Sequence, residues 1–169
     1  MYRMILASVL TGLALTASVQ AQSLSLDAGY GSVEADELSL DTAMVRADFD
    51  FNPYLGLEAQ AETGTSQQAI RMHGMEGDVR MSHSLSAFVV AQYPLLDRMD
   101  VFMRAGYANT RLQTDIAGHS EHEAVHAPVW GVGSRVYLTD NTGVRFDYNR
   151  YGMEDSQGFS IAYFHRFQL

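Results

Sequence analysis

The chain has 169 residues, a formal charge of −9 and no cysteine, and all eleven of its Lys-or-Arg positions are arginine. The length suits one domain. The acidic balance leaves no basic stripe for nucleic acid, and the missing thiols exclude disulfides and thiolate metal sites.

Residues 1–21, MYRMILASVLTGLALTASVQA, hold Arg3, an apolar run from Met4 to Ala17 and the short residues Val19 and Ala21 at the end. That order predicts a secretory signal peptide cleaved after Ala21, leaving 22–169 as the mature domain. The run falls short of the ~20 residues a spanning helix needs.

Beyond it, apolar residues alternate with period two, the mark of strands with one apolar face. The first strand sets Leu24, Leu26, Ala28 and Tyr30 against Ser25, Asp27 and Gly29. The second separates Val45, Ala47, Phe49 and Phe51 from Arg46, Asp48 and Asp50. Next come Leu55, Leu57, Ala59 and Ala61 against Glu58 and Glu62, then Leu85, Ala87, Val89, Ala91 and Tyr93. The fifth strand carries Val101, Met103, Ala105 and Tyr107 opposite Arg104. The sixth carries Trp130, Val132, Val136 and Leu138 opposite Gly131, Gly133 and Arg135. The seventh has Val144, Phe146 and Tyr148 opposite Arg145 and Asp147. The eighth, GFSIAYFHRFQL, puts Phe159, Ile161, Tyr163, His165, Phe167 and Leu169 on one face and Arg166 on the other.

Short turns at Asn52–Tyr54, Pro94–Asp100 and Thr139–Gly143 alternate with longer polar links, SVEADE, TSQQAIRMHGMEGD, TDIAGHSEHEAVH and MEDSQG. Antiparallel neighbours then place all short turns at one end and all long links at the other. The expected fold is all-β, an eight-stranded antiparallel up-and-down transmembrane β-barrel.

The faces decide between a secreted carrier with an apolar pocket and a membrane barrel. One face is rich in alanine and ends in aromatics at the strand termini, as a lipid-facing band with interfacial girdles does. Asp27, Arg46, Asp48, Asp50, Glu58, Glu62, Arg104, Arg135, Arg145, Asp147 and Arg166 then point inward, five arginines against six acids. Arginine's planar fork grips carboxylates two-handed, so these residues predict a lumen closed by ion pairs, with Gly29, Gly56, Gly106, Gly131 and Gly133 giving room for long side chains. A closed barrel also needs its last strand to pair with its first, which gives GFSIAYFHRFQL its role.

WGVGSRVYLTDNTGVRFDYNRYG, Trp130 to Gly152, resembles the sixth strand, turn and seventh strand of OmpA-like and OmpX-like outer-membrane barrels. The C-terminal strand is similar to the signal read by the barrel-assembly machinery, with Leu169 where an aromatic is commonest. The resemblance implies a monomer in the outer membrane of a Gram-negative bacterium, surrounded by lipid and lipopolysaccharide, without a peptidoglycan-binding second domain. It implies no single function; members serve in adhesion and envelope integrity, and some are enzymes.

Among chemistry-bearing clusters, HSEHEAVH brings His119, His122 and His126 together with Glu121 and Glu123. This set could hold zinc or copper, but the spacing is permissive and no scaffold fixes the geometry, so a hydrated, His-rich acidic loop is the better explanation and no metal or cofactor is assigned. A lipid A-modifying enzyme needs a serine activated by histidine. His83 is expected to face lipid between Met81 and Leu85 with Ser82 and Ser84 turned away, which leaves no catalytic pair. A small-solute pore is the other alternative. The acids of the long links suit a solvated rim or cation bridging to lipopolysaccharide phosphates, with Arg71, Arg80, Arg111 and Arg150 as direct phosphate contacts. The expected role is structural, or recognition of a surface ligand through the external loops.

Overall fold

The computed structural model describes residues 22–35, 38–66, 68–72, 75–116, 119–152 and 156–169. Its strands are β1 (Ser23–Ala35), β2 (Leu38–Asn52), β3 (Leu55–Gly64), β4 (Gln68–Met72), β5 (Met75–Leu96), β6 (Met99–Ile116), β7 (His119–Tyr137), β8 (Thr142–Tyr151) and β9 (Gln157–Gln168). All pairings are antiparallel, and they run in a ring: β1, β2, β3, β5, β6, β7, β8, β9 and back to β1. β4 adds no ninth position. It continues along β5 where β3 leaves off, Gln68 opposite Val79 after Glu62 opposite Ser84. The result is a closed eight-stranded barrel whose third stave is broken in two.

Closure depends on the C-terminal strand. β9 pairs with β1 from Glu34↔Gln157 to Ser23↔Gln168, and the Leu169 amide donates to the Gln22 carbonyl at 3.0 Å. Without that ladder two rows of backbone N–H and C=O groups would be left unpaired.

The long links are strand for much of their length. β5 starts at Met75, β6 continues to Ile116 and β7 starts at His119, so Met72↔Met75 and Ile116↔His119 cap hairpins that rise past the other strands. Alternation disappears there because both faces of a projecting hairpin can be wet, yet the backbone still gains by pairing. At the opposite end the Pro94–Asp100 link contracts to a turn at Asp97 and Arg98, with a register shift between Pro94 and Leu96. Proline has no N–H for the ladder, so an irregularity there costs little. The first turn is held by Asn52 Oδ1, which accepts from the amides of Tyr54 (2.8 Å) and Leu55 (3.0 Å).

The burial pattern is that of a soluble protein turned inside out. Leu26, Val45, Leu57, Leu85, Val89, Met103, Val132, Phe146 and Ile161 face outward, from 40% exposed at Leu57 to 61% at Met103. Asp27, Arg46, Asp48, Glu58, Arg104, Arg135, Arg145 and Asp147 are no more than 4% exposed. Aromatics mark both ends of the outward band: Tyr30, Tyr107 and Trp130 towards the long hairpins, and Tyr54 stacked on Tyr93 at 6.4 Å near the short turns.

Candidate functional site: an ion-paired lumen

Four arginines enter the lumen from β2, β6, β7 and β8, and four carboxylates enter from β1, β2, β3 and β8, so the central cluster is charge-balanced. Inward placement follows from strand parity: each residue sits one position off the lipid-facing stripe. Arg145 is the hub. Its Nε donates to Asp147 Oδ1 (3.0 Å), its Nη1 to Asp27 Oδ2 and to Asp48 (3.2 Å each), and its Nη2 to Glu58 Oε2 (2.6 Å). Arg46 reaches Asp147 (2.9 Å), Gln60 (2.6 Å) and Ser160 (2.8 Å). Arg104 pairs with Glu58 and donates twice to Asn149 Oδ1, at 3.0 and 2.8 Å. Arg135 bonds Asp48 (2.8 Å) and Gln92 (2.6 Å).

The cluster has an aromatic lining that the alternation did not reveal. Phe88, Val90, Phe102, Ala108 and Val129 form a buried apolar group inside the barrel. The Arg104 guanidinium lies 4.4 Å from the Phe88 ring centre, and those of Arg145 and Arg135 lie 4.3 and 5.3 Å from that of Phe102. A desolvated cation over a ring gains about 2 kcal/mol, part of what offsets the dehydration of these charges. The signal was present in the sequence as phenylalanines on the charged face, at positions 88, 102 and 164.

The glycines act one step removed from the arginines. A Cβ on Gly133 would strike the Phe102 ring, one on Gly131 the Asn149 amide, and one on Gly106 would come within 2.7 Å of the Phe88 ring. They admit the rings and amide on which the guanidiniums rest.

Three of the expected lumen residues, Asp50, Glu62 and Arg166, stand apart from the central cluster. Arg166 belongs to a separate group at the short-turn end, 3.6 Å from Asp50 and 3.8 Å from Asp100, with its guanidinium 5.0 Å from the Tyr137 ring centre. Tyr137 donates to Asp100 (2.6 Å) and Ser23 to Asp50 (2.9 Å), which ties β1, β2, β6, β7 and β9 together there. Glu62 lies towards the long hairpins, 8% exposed, and forms no ion pair with the described arginines.

His83 differs from the expectation in its neighbours. The β5–β6 register shifts between Met81 and His83, so Ser82 is an extra, bulged residue. The bulge turns Met81 inward (6% exposed), keeps His83 and Leu85 outward, and brings Ser82 Oγ within 3.3 Å of His83 Nδ1. Ser84 points inward, bonded to Thr110 at 2.8 Å. Among the described residues no carboxylate bonds to His83, so the pair lacks the third group that would orient it as a base.

The side chains of His119, His122, Glu121 and Glu123 fall outside the described residues, as do those of Arg71 and Arg80; His126 is exposed. Among the described residues no group of three or more His, Asp or Glu is arranged to hold a metal ion.

No curated protein matches the sequence. Solved barrels similar in fold include three from Gram-negative bacteria. They are OprG of Pseudomonas aeruginosa (TM-score 0.66, 8% identity, 90% of this chain and 99% of that one), Ail of Yersinia pestis, the attachment invasion locus protein, in complex with the heparin analogue sucrose octasulfate (0.61, 15%, 88% and 100%), and the N-terminal β-barrel domain of Pseudomonas aeruginosa OprF (0.61, 14%, 88% and 100%). The pattern describing the family "Outer membrane protein beta-barrel domain" matches residues 5–169. With a closed antiparallel ring, an outward apolar band and a charged interior, the chain belongs to this family of outer-membrane β-barrels.

Proposed function

We propose that this protein is a plugged, monomeric barrel of the Gram-negative outer membrane that strengthens the envelope and offers its long hairpins to a surface ligand. In this reading the leader is removed after Ala21, the barrel-assembly machinery reads β9, the short turns face the periplasm, and the β4–β5 and β6–β7 hairpins stand outside. The supporting observation is the central cluster. Arg145 contacts all four carboxylates of that central cluster, from β1, β2, β3 and β8, with its side chain wholly buried. A solute path would have to separate charges that cost several kcal/mol each to leave unpaired in a dry interior. A pore therefore fits poorly, and attachment or envelope support fits well.

Planar-bilayer recording of the folded barrel tests this. Only rare, short openings are expected, and a steady ohmic conductance from properly folded protein would overturn the plugged reading. The Ser82–His83 contact favours a second reading, lipid A hydrolysis. Mass spectrometry of lipid A from cells overproducing the protein is expected to show no loss or gain of acyl chains, and a change abolished by Ser82→Ala would establish the enzyme.

A further inference from the structure

The lipid-facing stripe is apolar along most of each strand, but it changes character where β3, β5 and β6 leave the band. His83 and Arg111 are both exposed and directly opposite each other in the β5–β6 register. Cross-strand partners of this kind hold their side chains about 5 Å apart at Cβ. The bulge sets Ser82 beside them, its hydroxyl on His83 and its carbonyl accepting from Thr63 Oγ1 at 3.0 Å. Bulges re-aim side chains, and they gather at functional rims. Directly below lie Leu85 (59% exposed) and its exposed cross-strand partner Asn109, and beneath these Val89 (58%) and Tyr107 (57%).

Height and charge specify what this group meets. His83 stands ten residues above Tyr93 on β5, and Arg111 ten above Val101 on β6. At ~3.4 Å per residue and a strand tilt of about 40°, that is about 26 Å, the height of the apolar band. The cluster thus sits at headgroup level. The links and strand ends on this side hold twelve acids (Glu34, Asp36, Glu37, Asp41, Glu62, Glu76, Asp78, Asp115, Glu121, Glu123, Glu154 and Asp155) against four arginines. Arg111 nevertheless pairs with none of the described carboxylates. A guanidinium, an imidazole and a hydroxyl facing outward, with one amide (Asn109) and then an apolar wall beneath, match an anionic headgroup whose acyl chains run down that wall.

We propose that Arg111, His83 and Ser82 bind a phosphate group carried on an outer-leaflet lipid. The assignment rests on the membrane orientation proposed above, but not on the lumen being closed. Arg111 supplies the charge and a forked pair of donors, and Ser82 and His83 supply the remaining donors to the phosphate oxygens.

Native mass spectrometry of the folded barrel in detergent tests the site, with three probes: bisphosphorylated lipid A, the same lipid enzymatically dephosphorylated, and inorganic phosphate. Wild type is expected to retain the phosphorylated lipid at least about tenfold better than the dephosphorylated one, and Arg111→Gln and His83→Gln each to reduce that retention about tenfold. Arg98→Gln, the same charge change at the opposite end, is expected to bind as wild type does. Folding of every variant is checked by the heat-modifiable gel shift. Equal retention by Arg111→Gln and wild type, or equal retention of the two lipids, overturns the proposal. Occupancy by inorganic phosphate at the same concentration as the lipid overturns the lipid-borne assignment. A conducting barrel that still selects phosphorylated lipid would refute the plugged reading and leave this one standing.

Discussion

Arg145 shows why this interior uses arginine and no lysine. One guanidinium serves Asp27, Asp48, Glu58 and Asp147 at once and lies over Phe102, which needs several donors in a plane. Arg145→Met leaves four carboxylates with three arginines, and we expect it to destabilise the barrel by about 3–5 kcal/mol, measured by urea unfolding in lipid vesicles. Adding Glu58→Gln restores the charge balance and should recover part of that loss; a strictly additive double mutant would show the pair to be uncoupled. Gly133→Ala is a packing test at the same scale. Its methyl group would meet both the Phe146 backbone carbonyl and the Phe102 ring, so the variant should lose stability, and Phe102→Leu should restore only the share due to the ring. The charged residues were legible one by one because charge at an alternating position is hard to mistake. Their partners were not, since Arg46 and Asp147 are joined across 101 residues of chain and no local pattern encodes which carboxylate a guanidinium meets.

At the scale of the strand, legibility followed the solvent. Where one face met lipid and the other the lumen, period two was unmistakable, as in β8 and β9. Where a strand rose beyond the band, as β5, β6 and β7 do near Met75, Ile116 and His119, the pattern vanished and only backbone pairing remained. The Ser82 bulge was equally hidden. A one-residue slip exchanges the faces of a strand, so Met81 reads as outward from its parity and lies inward in the fold. β9 is the element on which the ring closes. Removing residues 165–169 deletes its pairs with Ser23 to Leu26 and takes Phe167 from the outward face. We expect the truncated chain to lose the heat-modifiable folded band on refolding into vesicles, and full recovery of that band would show that closure does not require the end of β9.

The whole molecule separates its charge by depth. The lumen cluster is balanced, while the stretches of sequence that form or flank the long links hold twelve acids and four arginines. Ail, of the same fold, has been crystallised with a sulfated heparin analogue; a net-negative rim repels such polyanions at low salt. Vesicles carrying this barrel are therefore expected to pass a heparin column at 50 mM salt without retention and to be held by a polycationic resin. Retention on heparin would mean that a local basic patch overrides the net field.

By itself the sequence determined the strand count, the alternation of short and long connections, the lipid-facing stripe and the charged lumen, because all of these follow from side-chain parity and composition read along the chain. Only the tertiary structure decided that Arg166 closes the short-turn mouth apart from the main cluster, that Phe88 and Phe102 carry the guanidiniums, and that Ser82, His83 and Arg111 meet at the rim. Those facts depend on register between strands and on the curvature that brings non-neighbouring strands face to face across the lumen, and neither is a property of any single stretch of residues.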